Sequence, residues 1–511
     1  MRSPRPAASS EAITLTGATL TLPELLGVAR GHRAVALAPE VAPRVATSRA
    51  VVEQVLAQGE AVYGLTTGLG ANVGVALDNA DLLAFQTRIL VGRAVAVGPF
   101  LPRETVRAAL LLRANGLARG GAGASLAVIE ALLALLARGV HPCVPSLGSI
   151  GAADLTPMAH LALPLVGRGS AELDGEIMPG GEALRRAGLT PVELAPKDGL
   201  ALVSSNALSV AEAVLLIDDA AALLDLAALA AALSFEGMRA HPGPLLAEVA
   251  AARPAPGQEI AASTLRGFLA GSALWDKGGA RAVQDALSFR CVAPVHGAAR
   301  AALAFLRDAA IPEINAAADS PLVLLDDGRI LSTGNFHTGA LALAADTLAL
   351  ALVPVADLAV GRAMKLMLPE ASGLAKFLTP VGGNRAGFAP MQKTLAALRA
   401  ECRHAANPAS LDFTPVANGV EDHSPQTPLT LRKAATLCQS LRMLLAIELM
   451  VAAQAIDLRD PPPVLGPPLA AAHRAIRARV ARLEDDRSLG PEIELLAAES
   501  NAILDAARAA L

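Results

Sequence analysis

Side chains able to move protons or grip anions are sparse in this chain and fall in a few short blocks. Tyr63, the only tyrosine, sits in Ala61-Val62-Tyr63-Gly64-Leu65-Thr66-Thr67-Gly68-Leu69-Gly70. A phenol titrates near pH ~10, so it serves as a base only where positive charge or hydrogen bonds lower that value. Otherwise its hydroxyl anchors a turn. Arg290, in Gln284-Asp285-Ala286-Leu287-Ser288-Phe289-Arg290-Cys291, carries a planar fork that matches a carboxylate, or pairs with an acid on its own helix. Lys393, in Met391-Gln392-Lys393-Thr394, is a site amine or part of a solvated helix face. Glu421-Asp422-His423 suits proton transfer or capping. The blocks Asn315-Ala316-Ala317-Ala318-Asp319-Ser320-Pro321-Leu322 and Ser332-Thr333-Gly334-Asn335-Phe336-His337 are loops whose Asn, Ser and Asp also suit helix capping. His160 and His337 show no metal-ligand spacing and no H-E-x-x-H occurs, so no metal site is expected.

Helices must position these blocks. The 511 residues are 53% hydrophobic, 18% charged and only 2% aromatic. Alanine and leucine supply most of the apolar count, which favours packed helices over strands. Long helical runs are predicted over 207–237, 282–308, 338–366, 392–404 and 428–455. Gly-rich turns interrupt the first hundred residues, and a small hairpin is predicted at Asp174-Gly175. The fold class is therefore mainly α. Four sections are expected: a flexible tail over 1–12, a loop-rich unit over 13–200, a long-helix bundle over 201–455, and a helical end over 456–511.

The same composition excludes several roles. A net charge of −4 with interspersed signs leaves no basic face for nucleic acid, and one Trp, one Tyr and ten Phe make a poor stacking platform. The most apolar stretch, Ala220–Phe235, is interrupted by Asp225 and closed by Glu236. A spanning helix needs about 20 apolar residues nearly free of charge, so burial among other helices is expected and membrane insertion is not. Cys143, Cys291, Cys402 and Cys438 form no paired spacing, and Met1–Glu11 lacks an apolar signal core. A reduced, cytoplasmic setting is expected.

Taken in order, the blocks resemble the histidine/phenylalanine ammonia-lyase family from about residue 20 to residue 445. Gly148-Ser149-Ile150-Gly151-Ala152-Ala153-Asp154-Leu155 is similar to that family's signature loop, G-S-V-G-A-S-G-D-L. Ala61–Gly70 is similar to V-Y-G-x-N-T-G-F-G, and Q-D-x-Y-S-x-R-C, N-x-x-x-D-x-P, G-N-F-H and E-D-H blocks follow. The resemblance implies a helical-bundle fold, distantly like the aspartase/fumarase superfamily, and carbon–nitrogen lyase activity in a homotetramer whose sites combine loops of several subunits. It also implies the family's prosthetic group, methylidene-imidazolone (MIO), made when Ala-Ser-Gly cyclises and loses water. By resemblance Tyr63 is the base, Arg290 clamps the carboxylate, Asn335 and Phe336 shape the pocket, and Glu421 meets the substrate's ring or amine.

The departures from the family pattern cluster at the chemistry. Only Ala152-Ala153 precedes Asp154, so the hydroxyl that MIO formation eliminates is absent and no cofactor is expected. The tyrosine of Q-D-x-Y-S is Leu287. The asparagine of L-A-L-x-N-G falls on Ser204, with Asn206 two residues on. The histidine of S-H-A is Arg93, and Q-V-T reads Gln392-Lys393-Thr394. A task needing Tyr63 and Arg290 without MIO is one whose leaving group is already good. The ergothionases look like such a branch: they lack MIO and eliminate trimethylamine from ergothioneine, a histidine betaine bearing a thione. Arg93 and Lys393 would then meet the ring and its sulfur. The expectation is a MIO-less lyase acting on a histidine betaine. The alternatives are a conventional ammonia-lyase acting on histidine or an aromatic amino acid, and a non-catalytic paralogue that oligomerises with or regulates an active relative.

Overall fold

The structure, a computed structural model, describes residues 12–31, 33–69 and 82–511. Residues 1–11 of the expected tail, and Gly70 of the Tyr63 block, lie outside the described residues. Among the described residues four long helices dominate, Ala207–Met238, Val292–Ile314, Gly339–Leu366 and Thr427–Asp457, and the shorter Met391–Ala405 packs on the last of them. Ala207–Met238 is buried on nearly every face, as expected for a helix apolar all round. It packs against Thr427–Asp457, which in turn packs against Gly339–Leu366.

Three acids of the helix Ala207–Met238 pair with arginines, while Glu236 Oε1 has no hydrogen-bond partner among the described residues. Asp225 pairs with Arg300 (2.6 Å) and with Arg508, and Arg30 bridges Asp218 (2.5 Å) and Asp219 (2.8 Å). Among the described residues three segments, Asp198–Met238, Gly339–Leu366 and Thr427–Asp457, are long and apolar enough to cross a membrane; within the first, 94% of the most apolar window is buried inside the protein. Neighbouring helices take up that apolar surface.

One helix differs from its predicted bounds. The run predicted over 282–308 starts instead at Val292, after a four-residue turn Leu287–Arg290. Pro294 explains the shift. A helix continuing from residue 282 would carry this proline in its interior, whereas a start at Val292 places it in the first turn, where its missing N–H costs nothing. The predicted hairpin is present as Ser170–Leu173 paired with Glu176–Pro179. His141–Pro142 joins this hairpin as a third strand, and the remaining described strands form two-stranded sheets.

At the centre of the bundle an ion pair is fully buried. The Arg362 Nε donates to Glu448 Oε1 at 2.5 Å and a terminal nitrogen to Oε2 at 3.0 Å. Ser234 adds a hydroxyl to Glu448 (2.8 Å), and Arg362 also reaches the Ser288 carbonyl (3.1 Å). Three long helices and the turn leading to Arg290 are thereby tied at one point. Removing one partner strands a charge in the interior, so Glu448→Ala is expected to cost about 3–5 kcal/mol in chemical denaturation. The double variant Arg362→Met/Glu448→Leu is expected to recover most of that loss.

Candidate active site

The signature loop is set by its hydrogen bonds. Asp154, buried, accepts from the Ser149 hydroxyl (2.7 Å), the Ser209 amide (2.8 Å) and the Ser209 hydroxyl (2.9 Å), while its own amide donates to the Ser205 carbonyl (2.8 Å). Ser149 also accepts from the Gly151 amide (3.0 Å). Gly151 lies at φ +84°, where a Cβ would stand 2.8 Å from the Thr427 nitrogen, so only glycine fits. Ala152 pairs with His337, and the Ala153 amide donates to the Phe336 carbonyl (3.4 Å). Ala153 takes a left-handed φ of +55°, a conformation that costs a side-chain-bearing residue about 1–2 kcal/mol.

Tyr63 is held by a tight turn. The amides of Leu65 and Thr66 both reach the Val62 carbonyl (3.1 and 3.0 Å), and Thr66 Oγ1 accepts from the Val62 amide (2.8 Å). Gly64 follows at φ +66°, where a Cβ would lie 2.4 Å from Leu69 Cδ2. Behind the site, Arg113 and Asp319, both buried, pair at 2.6 Å, and Lys197 reaches the Pro321 carbonyl at 3.0 Å. These contacts fix Ser320 from both sides.

Between these elements opens a cavity of about 320 Å³ lined by Tyr63, Leu69, Arg93, Ala152, Ala153, Leu155, Leu200, Ser204, Ser320, Ser332, Thr333, Phe336, Val420 and Glu421. A larger cavity of about 540 Å³, between Met391, Met443 and Ile493, holds none of the expected site residues. The smaller one gathers the expected residues. There Arg93, from the end of the helix Leu82–Arg93, is the cation. Burial pushes its guanidinium below the ordinary arginine value, an effect that Tyr63 and Glu421 offset in part. A base candidate, a cation and a carboxylate thus share one hydroxyl-lined, partly apolar pocket.

Of the expected residues, Tyr63, Arg93, Ala152, Ala153, Ser204, Phe336 and Glu421 come together. Asp154 lies just beneath, buried. Five others stand outside this cavity within one chain. Arg290 is half-buried, its Nε donating to the Asp285 carbonyl (2.9 Å). Leu287 is 60% exposed, and Lys393 and Asn335 are exposed. Asn206 is buried, with neither side-chain amide atom hydrogen-bonded. The hydroxyls of Ser320, Ser332 and Thr333 were missed as lining groups. They stand inside the quoted blocks, where capping was the simpler reading, and their adjacency to Asp319 and Asn335 was the available signal.

The residues of the loop do not fit the MIO group. Ala152 and Ala153 offer no hydroxyl to eliminate, and the Ser149 hydroxyl is committed to Asp154 and Gly151.

A family model described as aromatic amino acid lyase matches residues 20–478. A histidine ammonia-lyase of Anaeromyxobacter sp. (strain K) is 45% identical over 497 residues, covering 95% of this chain and 97% of that one. The Symbiobacterium thermophilum histidine ammonia-lyase is 43% identical, covering 95% and 96%. Among solved structures, the ergothioneine-degrading ergothionase of Treponema denticola superposes with a TM-score of 0.94 at 34% identity, covering 97% of this chain and all of that one. Trypanosoma cruzi histidine ammonia-lyase superposes with a TM-score of 0.89 at 29% identity, covering 98% and 96%.

Beneath the loop, burial and the neighbouring Asp154 push Glu212 up to about 8, Arg432 offsetting part. The folded protein therefore holds a proton on Glu212 that the unfolded chain releases near pH 4.5. The stability this proton confers is present at low pH and is lost as pH rises through about 8. From about pH 5 to about pH 9, the wild-type melting temperature is expected to fall relative to that of Glu212→Gln, in which the amide mimics the protonated acid.

Proposed function

This chain belongs to the aromatic amino acid lyase family and is a carbon–nitrogen lyase, and from that premise we propose that it eliminates trimethylamine from a histidine betaine such as ergothioneine, without MIO. The observation that carries the reading is the loop itself. Ala152-Ala153-Asp154 cannot make the electrophile, while Tyr63 and the carboxylate Glu421 still share the cavity with a cation, Arg93. The likeness to the Treponema denticola ergothionase supports it.

The step balances without a cofactor. Tyr63 takes the β-proton, the C–H electron pair becomes the Cα–Cβ double bond, and the C–N bond breaks with its pair on nitrogen. A quaternary ammonium leaves as a neutral amine and needs no electrophile to activate it. In this reading Arg93 meets the substrate ring as negative charge builds there. Glu421 and Phe336 bound the ring end, and the hydroxyls of Ser204 and Thr333 supply polar contacts. Lys393, exposed on its own chain, would reach a ring only in an assembly.

The reading includes a homotetramer. Arg290 lies outside the Tyr63 cavity of its own chain, and the segment leading to it is apolar and open, with Val283 98% and Leu287 60% exposed. Arg290 of another copy would clamp the carboxylate. A conventional ammonia-lyase is the second reading, favoured by 45% identity to a histidine ammonia-lyase.

Purified protein is expected to release trimethylamine from ergothioneine and no ammonia from histidine, and Tyr63→Phe to lose at least about 100-fold in rate. Its intact mass is expected to match the unmodified sequence. Ammonia from histidine, with a mass short of two waters, would establish the second reading. Mixing the inactive variants Tyr63→Phe and Arg290→Gln under subunit exchange is expected to restore part of the activity, because some sites then receive both native groups. No recovery would mean that the two residues do not act across subunits.

A further inference from the structure

The blocks Gly334-Asn335-Phe336-His337 and Glu421-Asp422-His423 each end in a histidine that the elimination does not use. The two meet. His337 Nε2 lies 3.0 Å from His423 Nδ1, with ring centroids 5.0 Å apart and planes tilted by 32°. Phe413 lies against the His423 ring at 5.8 Å. One ring donates and the other accepts, so the pair is a directed hydrogen bond between two loops.

Each loop carries a wall of the cavity. On one side His337 follows Phe336, pairs through its backbone with Ala152, and so belongs to the floor built by the signature loop. On the other, His423 ends a segment that carries Val420 and Glu421 into the cavity. That segment closes on itself: the Val416 amide donates to the Glu421 carbonyl (3.0 Å), the Glu421 amide returns to Val416 (3.3 Å), and the Gly419 amide also reaches Val416 (3.0 Å). Among the described residues, the hydrogen bond that fastens 411–423 to the opposite wall is the one between His423 and His337. Directly below it, Thr338 and Thr427, buried at the starts of two long helices, are joined at 2.7 Å. The histidine bridge is therefore the outer rung above a fixed inner one.

We propose that His337 and His423 are a positioning pair that holds Val420 and Glu421 against the Phe336 wall and so sets the width of the ring-binding end of the site. The proposal rests on the reading of this cavity as the lyase site. Neither imidazole touches the reacting atoms in this scheme. The pair acts through Glu421 and Phe336.

The experiment is a double-mutant cycle on the full-length protein with ergothioneine as substrate: His337→Ala, His423→Ala and both together. Each single change is expected to raise KM about tenfold with kcat lowered less than about threefold, since Tyr63 and Arg93 stay in place. The double variant is expected to match either single, because one bond is lost in all three. His423→Gln, which keeps a donor and an acceptor, should regain most of the loss. Independently of turnover, amide hydrogen exchange of residues 411–423 should quicken in both single variants while the rest of the protein exchanges as before. Additive KM effects, or unchanged exchange in that segment, would overturn the positioning role. Wild-type protein inert toward ergothioneine would overturn the substrate reading instead, and the exchange measurement would still decide the pair.

Discussion

A buried carboxylate must have its lone pairs met, and Asp154 has them met by Ser149 and by both hydrogen-bonding groups of Ser209. That requirement fixes the geometry around it. Ser209 belongs to the most deeply buried helix of the bundle, so the loop is registered against the most rigid part of the fold. From Asp154 the constraint spreads outward. Ala152 and Ala153 are held against Phe336 and His337, the Ile150 carbonyl receives the Gln426 amide at 2.9 Å, and Gly151 leaves room for the start of the helix at Thr427. The floor of the cavity is thus an extension of the bundle core.

Above that floor the pocket places a cation where the family pattern has a neutral or weakly basic ring. The guanidinium of Arg93 is permanently charged even when partly desolvated, so its field acts at every working pH. A catalyst that relies on a covalent electrophile needs no such field, and one that relies on a good leaving group gains from it. High identity to histidine ammonia-lyases and near-complete superposition on an ergothionase are compatible because a shared scaffold does not fix the task. In the proposed reading the change of task falls on a few positions.

How far the sequence carried is clearest at particular residues. Helices rich in alanine and leucine were legible because their periodicity exceeds every competing signal, and the one misplaced start, at Val292, turned on a single proline. Tyr63, Arg93, Ser204, Phe336 and Glu421 were legible through block order, and folding brings them to one cavity. Arg290, Leu287 and Lys393 were equally legible as blocks, yet one chain does not gather them with the others, because block order carries no record of distance in space. Glu212 was invisible. Its role depends on a carboxylate 58 positions earlier in sequence, and only packing reveals that proximity. The histidine bridge was hidden for the same reason, since 86 residues separate its halves.

The left-handed backbone at Ala153 also bears on the history open to this loop. A single substitution there to serine would supply a hydroxyl but would still lack the glycine nitrogen beyond it, because Asp154 follows directly and is committed to Ser209. Regaining an Ala-Ser-Gly triplet takes an added codon as well as a changed one, and the added residue must be threaded past a carboxylate already committed to its partners. In the proposed reading the shortened loop works as a ratchet: chemistry without the electrophile can be refined by point changes around Arg93 and Phe336, while substitution alone cannot rebuild the triplet.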